Sequence, residues 1–313
     1  MNDEPEGLRP WLPAVRTGCP VGVPHQVWIE ASMTWFVHEF GRGPAMRGVV
    51  VPGPELRSAA YSGTPEQIEG LVALVCEWMG IDRSTLTVEL FDRSDEDAAA
   101  AREEKRTVGH YRVENGRPVI GLDVTEASDA SYLIAVIAHE LCHVRLLGEG
   151  RITADRKDHE WLTDLLTVYF GFGVFTTNAA LRYGETSRGF SVQPLGYLDE
   201  RTLNAARNDS YSRLGYLTER EFGYAMACYA WLRHDTEPDW AAELDPGPRV
   251  FLRQGLAYLT RNAGPGEFPT RRAGNIPVSV RVVPKTDHVW LSGLYLMPTQ
   301  TEWPPDAPGH RPR

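Results

Sequence analysis

The chain has 313 residues, 42% of them hydrophobic and 24% charged, with a formal charge of −10. That length suits two modest domains or one domain with a helical extension, and the composition is ordinary for a globular fold. The acidic balance argues against nucleic acid as a partner, because no basic excess is present to displace counterions from a phosphate backbone.

Residues 1–24 are rich in Pro and Gly and read as an extended leader. The first fifteen residues, MNDEPEGLRPWLPAV, contain neither a basic region nor an apolar one of the secretory type. No apolar run approaches the roughly 18 residues of a membrane span, so no membrane partner is expected. Cys19, Cys76, Cys142 and Cys228 are scattered without a CxxC pair. Such spacing suits reduced thiols, and with the missing signal it sets the expectation of a cytoplasmic location.

Residues 25–41, HQVWIEASMTWFVHEFG, read as a strand running into a short helix. The next segment, GTPEQIEGLVALVCEWMGI, predicts a helix. Thr64 stands at the cap, Pro65 at the first helical position, and apolar residues recur at Ile68, Leu71, Val72, Val75 and Met79. STLTVELFD alternates as a strand, with Leu86, Val88 and Leu90 on one side. The acidic, Ala-rich RSDEDAAAAREEKR reads as a solvated loop or short exposed helix. Two β-rich runs then flank Asn115-Gly116, a strong hairpin signal.

A helix follows from near Ser128 or Asp129 to about Leu147, ended by Gly148 and Gly150. The apolar HEWLTDLLTVYFGFGVFTTNAALRY predicts one long helix over residues 159–183, in which Gly171 and Gly173 admit a close neighbour. DERTLNAARN, TEREFGYAMACYAWLRHD and PRVFLRQGLAYLTRNA read as further helices, and PVSVRVV and HVWLSGLYL as short β runs. The expected organisation is a leader over 1–24, an α/β part over 25–150, a helical part over 151–262 and a Pro/Arg-containing segment over 263–313. The fold class is α+β.

The predicted helix before Leu147 carries His139, Glu140 and His143 as H-E-L-C-H. Spacing of i, i+4 stacks both imidazoles on one helical face, where they can reach one ion, and zinc favours imidazole nitrogen. Glu140 is placed to act as a general base on a water that zinc acidifies. Burying such groups without partners costs several kcal/mol, and a metal answers that cost. The bland alternative is a pair of core histidines satisfied by the backbone. Cys142, at a variable position of the motif, reads as core packing.

A catalytic zinc needs a third protein ligand. A glycine and a third histidine soon after the motif are excluded, since Leu146 and Glu149 occupy those positions. Downstream, DHEWLTDLL places Glu160 and Asp164 four apart on one face. With HExxH on one helix and ExxxD on the next, the chain resembles the gluzincin class of zinc metallopeptidases, the thermolysin-like group, over residues 120–165. The resemblance implies a zincin-like fold, Glu160 as the third zinc ligand and Asp164 holding a histidine's other nitrogen. His159 and Asp158 are rivals for the third position.

The same resemblance implies a peptide or protein substrate, bound by a rim strand before the active-site helix, which RPVIGLDV at 117–124 would supply. It also implies an oxyanion donor from the helical part. Tyr216, Tyr224, His234 and Arg151 are the candidates, and Tyr224 is favoured for its setting in an apolar helix. The alternative function is a non-catalytic protein that keeps the scaffold for binding or regulation.

Overall fold

A helical lead-in opens the structure, a computed structural model that describes residues 18–53, 56, 61–92, 109–180, 182–183, 211–212 and 216–269. Helix α1, Val23–Phe40, starts with Pro24 in its first turn and buries Trp28, Ile29, Met33, Trp35 and Phe36. The expected strand there is therefore a helix throughout. Aromatic residues with strand propensity are overridden because these side chains pack against helices that come much later in the chain. A short α2, Gly43–Arg47, follows.

Helix α3, Pro65–Met79, begins with a full capping box in which Thr64 and Gln67 satisfy each other's backbone N–H groups. Strands β1 (Thr87–Phe91), β2 (Gly109–Glu114) and β3 (Arg117–Asp123) form a sheet of order β1-β3-β2. β1 runs parallel to β3, and β2 pairs antiparallel with β3, Glu114 opposite Arg117. Asn115 and Gly116 turn that hairpin with φ of 49° and 78°, the left-handed values its tight turn demands. The central strand is thus β3. The expectation that residues 117–124 form the rim is corrected: β3 is paired on both sides and buried from Val119 to Asp123, and among the described residues β2 lies at an edge.

Helix α4, Ala130–His143, carries the HExxH residues. Asp129 caps it by accepting the Tyr132 N–H, and its last turn passes into a π-helical turn at Val144–Gly148. Leu133, Ile134, Ile137 and Leu141 are all buried, each contributing about 1.5–3 kcal/mol. An all-round buried helix must be covered on every side. The sheet, α3, α5 (His159–Tyr169) and α6 (Gly173–Ala179) supply that cover. This stretch, Ala130–Gly148, is the one described helix long and apolar enough to cross a membrane, and 83% of its apolar window is buried inside the fold.

The long helix expected over 159–183 is broken. Gly171 adopts φ of 90°, its carbonyl accepts the Val50 N–H at 2.9 Å, and a Cβ there would meet the Gly48 carbonyl oxygen at 2.5 Å. Backbone from the α2 side therefore occupies the place where a continuous helix would carry side chains. Gly173 does admit a close neighbour, Met226 of α7 (Glu219–Leu232).

Helix α8, Pro246–Asn262, packs on α7. A two-stranded pair, β4 (Arg182–Tyr183) with β5 (Tyr211–Ser212), lies apart from the first sheet. Buried apolar side chains from Trp28 to Phe268 form one core, so the α/β and helical parts share it, with α1 packed on both α5 and α7. The fold is α+β, helices around a small mixed sheet. The segments 93–106, DERTLNAARN and the C-terminal β runs lie outside the described residues.

Candidate metal centre

His139 and His143 stand one helical turn apart at the buried end of α4, 8% and 6% exposed. Glu160 reaches them from the first turn of α5. Its Oε2 lies 3.3 Å from His139 Nε2 and 3.4 Å from His143 Nε2. A tetrahedral ion with bonds of about 2.0–2.1 Å separates neighbouring ligand atoms by roughly 3.3–3.4 Å. The ligand atoms of His139, His143 and Glu160 all fall within 4.8 Å of one another, and among the described residues this is the one group arranged to hold a metal ion. The donor set therefore fits a tetrahedral cation.

The second nitrogen of each imidazole is accounted for. His139 Nδ1 donates to Asp164 Oδ1 at 2.9 Å. His143 Nδ1 lies 3.3 Å from Thr163 Oγ1, whose hydroxyl proton is spent on the His159 carbonyl at 2.7 Å. That hydroxyl accepts, so His143 Nδ1 carries the proton. With Nδ1 engaged in each ring, both Nε2 atoms face Glu160, the nitrogens a metal would take. Tyr111 of β2 lies nearly parallel to the His143 ring, 5.9 Å between centroids at 18°.

Charge in this enclosure is uneven. Burial pushes the Glu140 carboxyl up to about 7, His139 opposing the rise and Glu160 adding to it. Burial also raises Glu160, but the imidazoles of His139 and His143 outweigh it and hold that carboxyl well below its usual range. The imidazole of His139 is penalised by burial yet raised overall by Asp164 and Glu160, whereas burial lowers His143. Three acids around two imidazoles form a site that favours a cation.

Strand β2 comes close to Glu140 at Gly109, where a Cβ would sit 2.7 Å from Glu140 Oε1 and 2.8 Å from Val136 Cγ1.

 Replacing Gly109 by Ala is expected to force Glu140 and Val136 apart and to cost about 1–3 kcal/mol, read as a lowered midpoint of thermal unfolding. An unchanged midpoint would mean that the strand yields instead.

The sequence-derived site residues are now placed. His139, His143 and Glu160 converge, Asp164 holds His139, and Glu140 is 5% exposed beside them. The rivals stand aside. Asp158 is committed to Trp28 Nε1 at 2.8 Å and to Arg156, and the His159 ring lies 6.1 Å from that of His143, outside the trio. Cys142 is fully buried and unbridged, as core packing requires.

Tyr224 requires a correction. It is fully buried, its hydroxyl donates to Glu30 of α1 at 2.5 Å, and its ring packs against Tyr258 of α8. A hydroxyl without solvent access and already given to a carboxylate offers no donor to an oxyanion. Arg151 is engaged by Glu39 and Glu149. Of the four candidates, Tyr216 is the one whose backbone meets the cluster, through Asp164. Sequence reasoning missed Thr163, Tyr111 and Gly109. A threonine four residues after His159 carries no signal of its own, and the strand residues come near the site only through the sheet. No family model, curated protein or solved structure matches the chain.

Proposed function

We propose that the chain is a zinc-dependent hydrolase of gluzincin type that cleaves peptide bonds, with His139, His143 and Glu160 holding the metal. The observation that carries this reading is the spacing of the three ligand atoms, with one carboxylate oxygen 3.3 and 3.4 Å from two imidazole nitrogens. Three protein ligands leave a tetrahedral ion one open position, the arrangement of catalytic rather than structural zinc. Bound there, zinc supplies Lewis acidity and lowers the pKa of water toward 7.

The chain's own residues supply the rest. Glu140 follows His139 directly and faces the start of β2, so its carboxylate takes a proton from the attacking water and passes it to the leaving amine. Asp164 and Thr163 fix the imidazole tautomers. An extended substrate pairs with the edge of β2, whose Gly109 and Tyr111 face Glu140 and His143.

Removing the Asp164 carboxylate is expected to weaken zinc binding by about 10–100-fold, measured by competition with a chromophoric chelator. The function is tested by elemental analysis of purified protein and a chelator-sensitive cleavage assay on a mixed peptide pool. Stoichiometric zinc with cleavage that stops on chelation supports the proposal. Stoichiometric zinc without cleavage favours the non-catalytic scaffold, and protein that takes up no zinc overturns the zinc hydrolase.

A further inference from the structure

Asp164 does more than orient His139. Its Oδ2 accepts the backbone N–H groups of Tyr216 and Leu217, the latter at 3.0 Å. Trp161 Nε1 donates to the Tyr216 carbonyl at 3.1 Å. Trp161 and Asp164 are three apart on α5 and so share a face. They grip the same stretch of backbone, one by its carbonyl and the other by its amides.

That stretch leads straight into α7. Thr218 caps the helix by accepting the Glu221 N–H, and Glu221 Oε2 accepts the Thr218 N–H at 2.6 Å. A capping box needs only this one carboxylate oxygen. The other oxygen, Oε1, meets Nδ1 of His25 in the first turn of α1, a contact 196 residues apart in sequence. Glu221 is 5% exposed. Burial raises its carboxyl, but His25 and Thr218 more than offset this and leave it below the usual range.

We propose that Glu221, clamped by His25, is a positioning residue for the metal ligand His139, acting through residues 216–218 and Asp164. The His25 contact is not needed for capping. It fixes α7 to α1, and so fixes the angle at which the Tyr216 and Leu217 amides meet the Asp164 carboxylate. Loosening the cap lets those amides turn away and leaves Asp164 free to rotate off His139. The coupling is reciprocal: holding His139 in ligand geometry also holds the start of α7 against α5.

This inference rests on the metal-centre reading, and its test reads metal affinity and backbone exchange rather than cleavage. Zinc affinity is measured by chelator competition for wild type, Glu221→Ala, Asp164→Ala and the double variant, with amide exchange followed at Tyr216 and Leu217. Glu221→Ala is expected to weaken zinc by about 3–10-fold, less than the direct partner of a ligand costs. It is expected to speed exchange at both amides, and to add nothing once Asp164 is Ala. Unchanged affinity, or an equal loss in both backgrounds, would overturn the proposal even if the thermal midpoint falls. Where Glu221→Ala does not fold, His25→Gln carries the test with the same signs and a loss of roughly 2–3-fold. A wild type that binds no zinc overturns the metal-centre reading, and this inference with it.

Discussion

Glu140→Gln is expected to keep the metal at wild-type stoichiometry while lowering turnover by roughly 10²–10⁴-fold, the range a positioned general base contributes. The amide has nearly the shape of the carboxylate, so its close approach to Gly109 survives. It cannot accept a proton from water. Buried among His139 and Glu160, Glu140 carries a carboxyl already pushed to about 7, and a neutral amide there removes a charge that burial disfavours. The variant should therefore be at least as stable as wild type. Full turnover in Glu140→Gln would remove this residue from the mechanism and leave the helix motif without its chemical reading.

Loss of a ligand acts on the other quantity. His143→Ala or Glu160→Ala is expected to abolish stoichiometric zinc binding, a larger effect than the ~10–100-fold that an outer hydrogen-bond partner costs. Two remaining donors leave a small, strongly hydrated ion with more water than protein around it. The two variants should differ without metal. Glu160→Ala leaves His139 and His143 without the carboxylate that both approach. His143→Ala removes an imidazole that burial already drives toward neutrality. Elemental analysis after gel filtration checks both, and retention of one zinc per chain in Glu160→Ala would transfer the third position to another residue.

Much of the site was legible because it is local. The i, i+4 histidines, the helix start near Asp129 and the Thr64 cap involve neighbours within one helical turn, and one turn of helix fixes their geometry. Asn115-Gly116 is legible for the same reason, since the φ values of a tight turn are a property of its two residues. The ExxxD pair on α5 could be proposed from spacing, but which carboxylate reaches the imidazoles depended on how α5 lies against α4.

The features that escaped are all contacts between distant segments. Residues 25–41 have strand-forming aromatics, yet they are helical because Trp28 finds Asp158 and Phe36 finds Tyr169. The break at Gly171 follows from Gly48 backbone lying against it. Tyr224 looked suited to catalysis from its apolar neighbourhood, but burial is symmetric in sequence and α7 turns that side chain toward α1 and α8.

By itself, then, the sequence determined an α+β composition of elements and a helix that presents two imidazoles and a carboxylate together. Tertiary structure alone decided which strand lies at the sheet edge, which acid meets the two imidazoles and which groups hold those rings in place. The physical reason is one of range. Backbone hydrogen bonds and side-chain periodicity act within a few residues, whereas the meeting of His139, His143 and Glu160 is set by packing of α4 on α5 and of α5 on α7, with α7 tied to α1 across 196 residues by the His25–Glu221 contact.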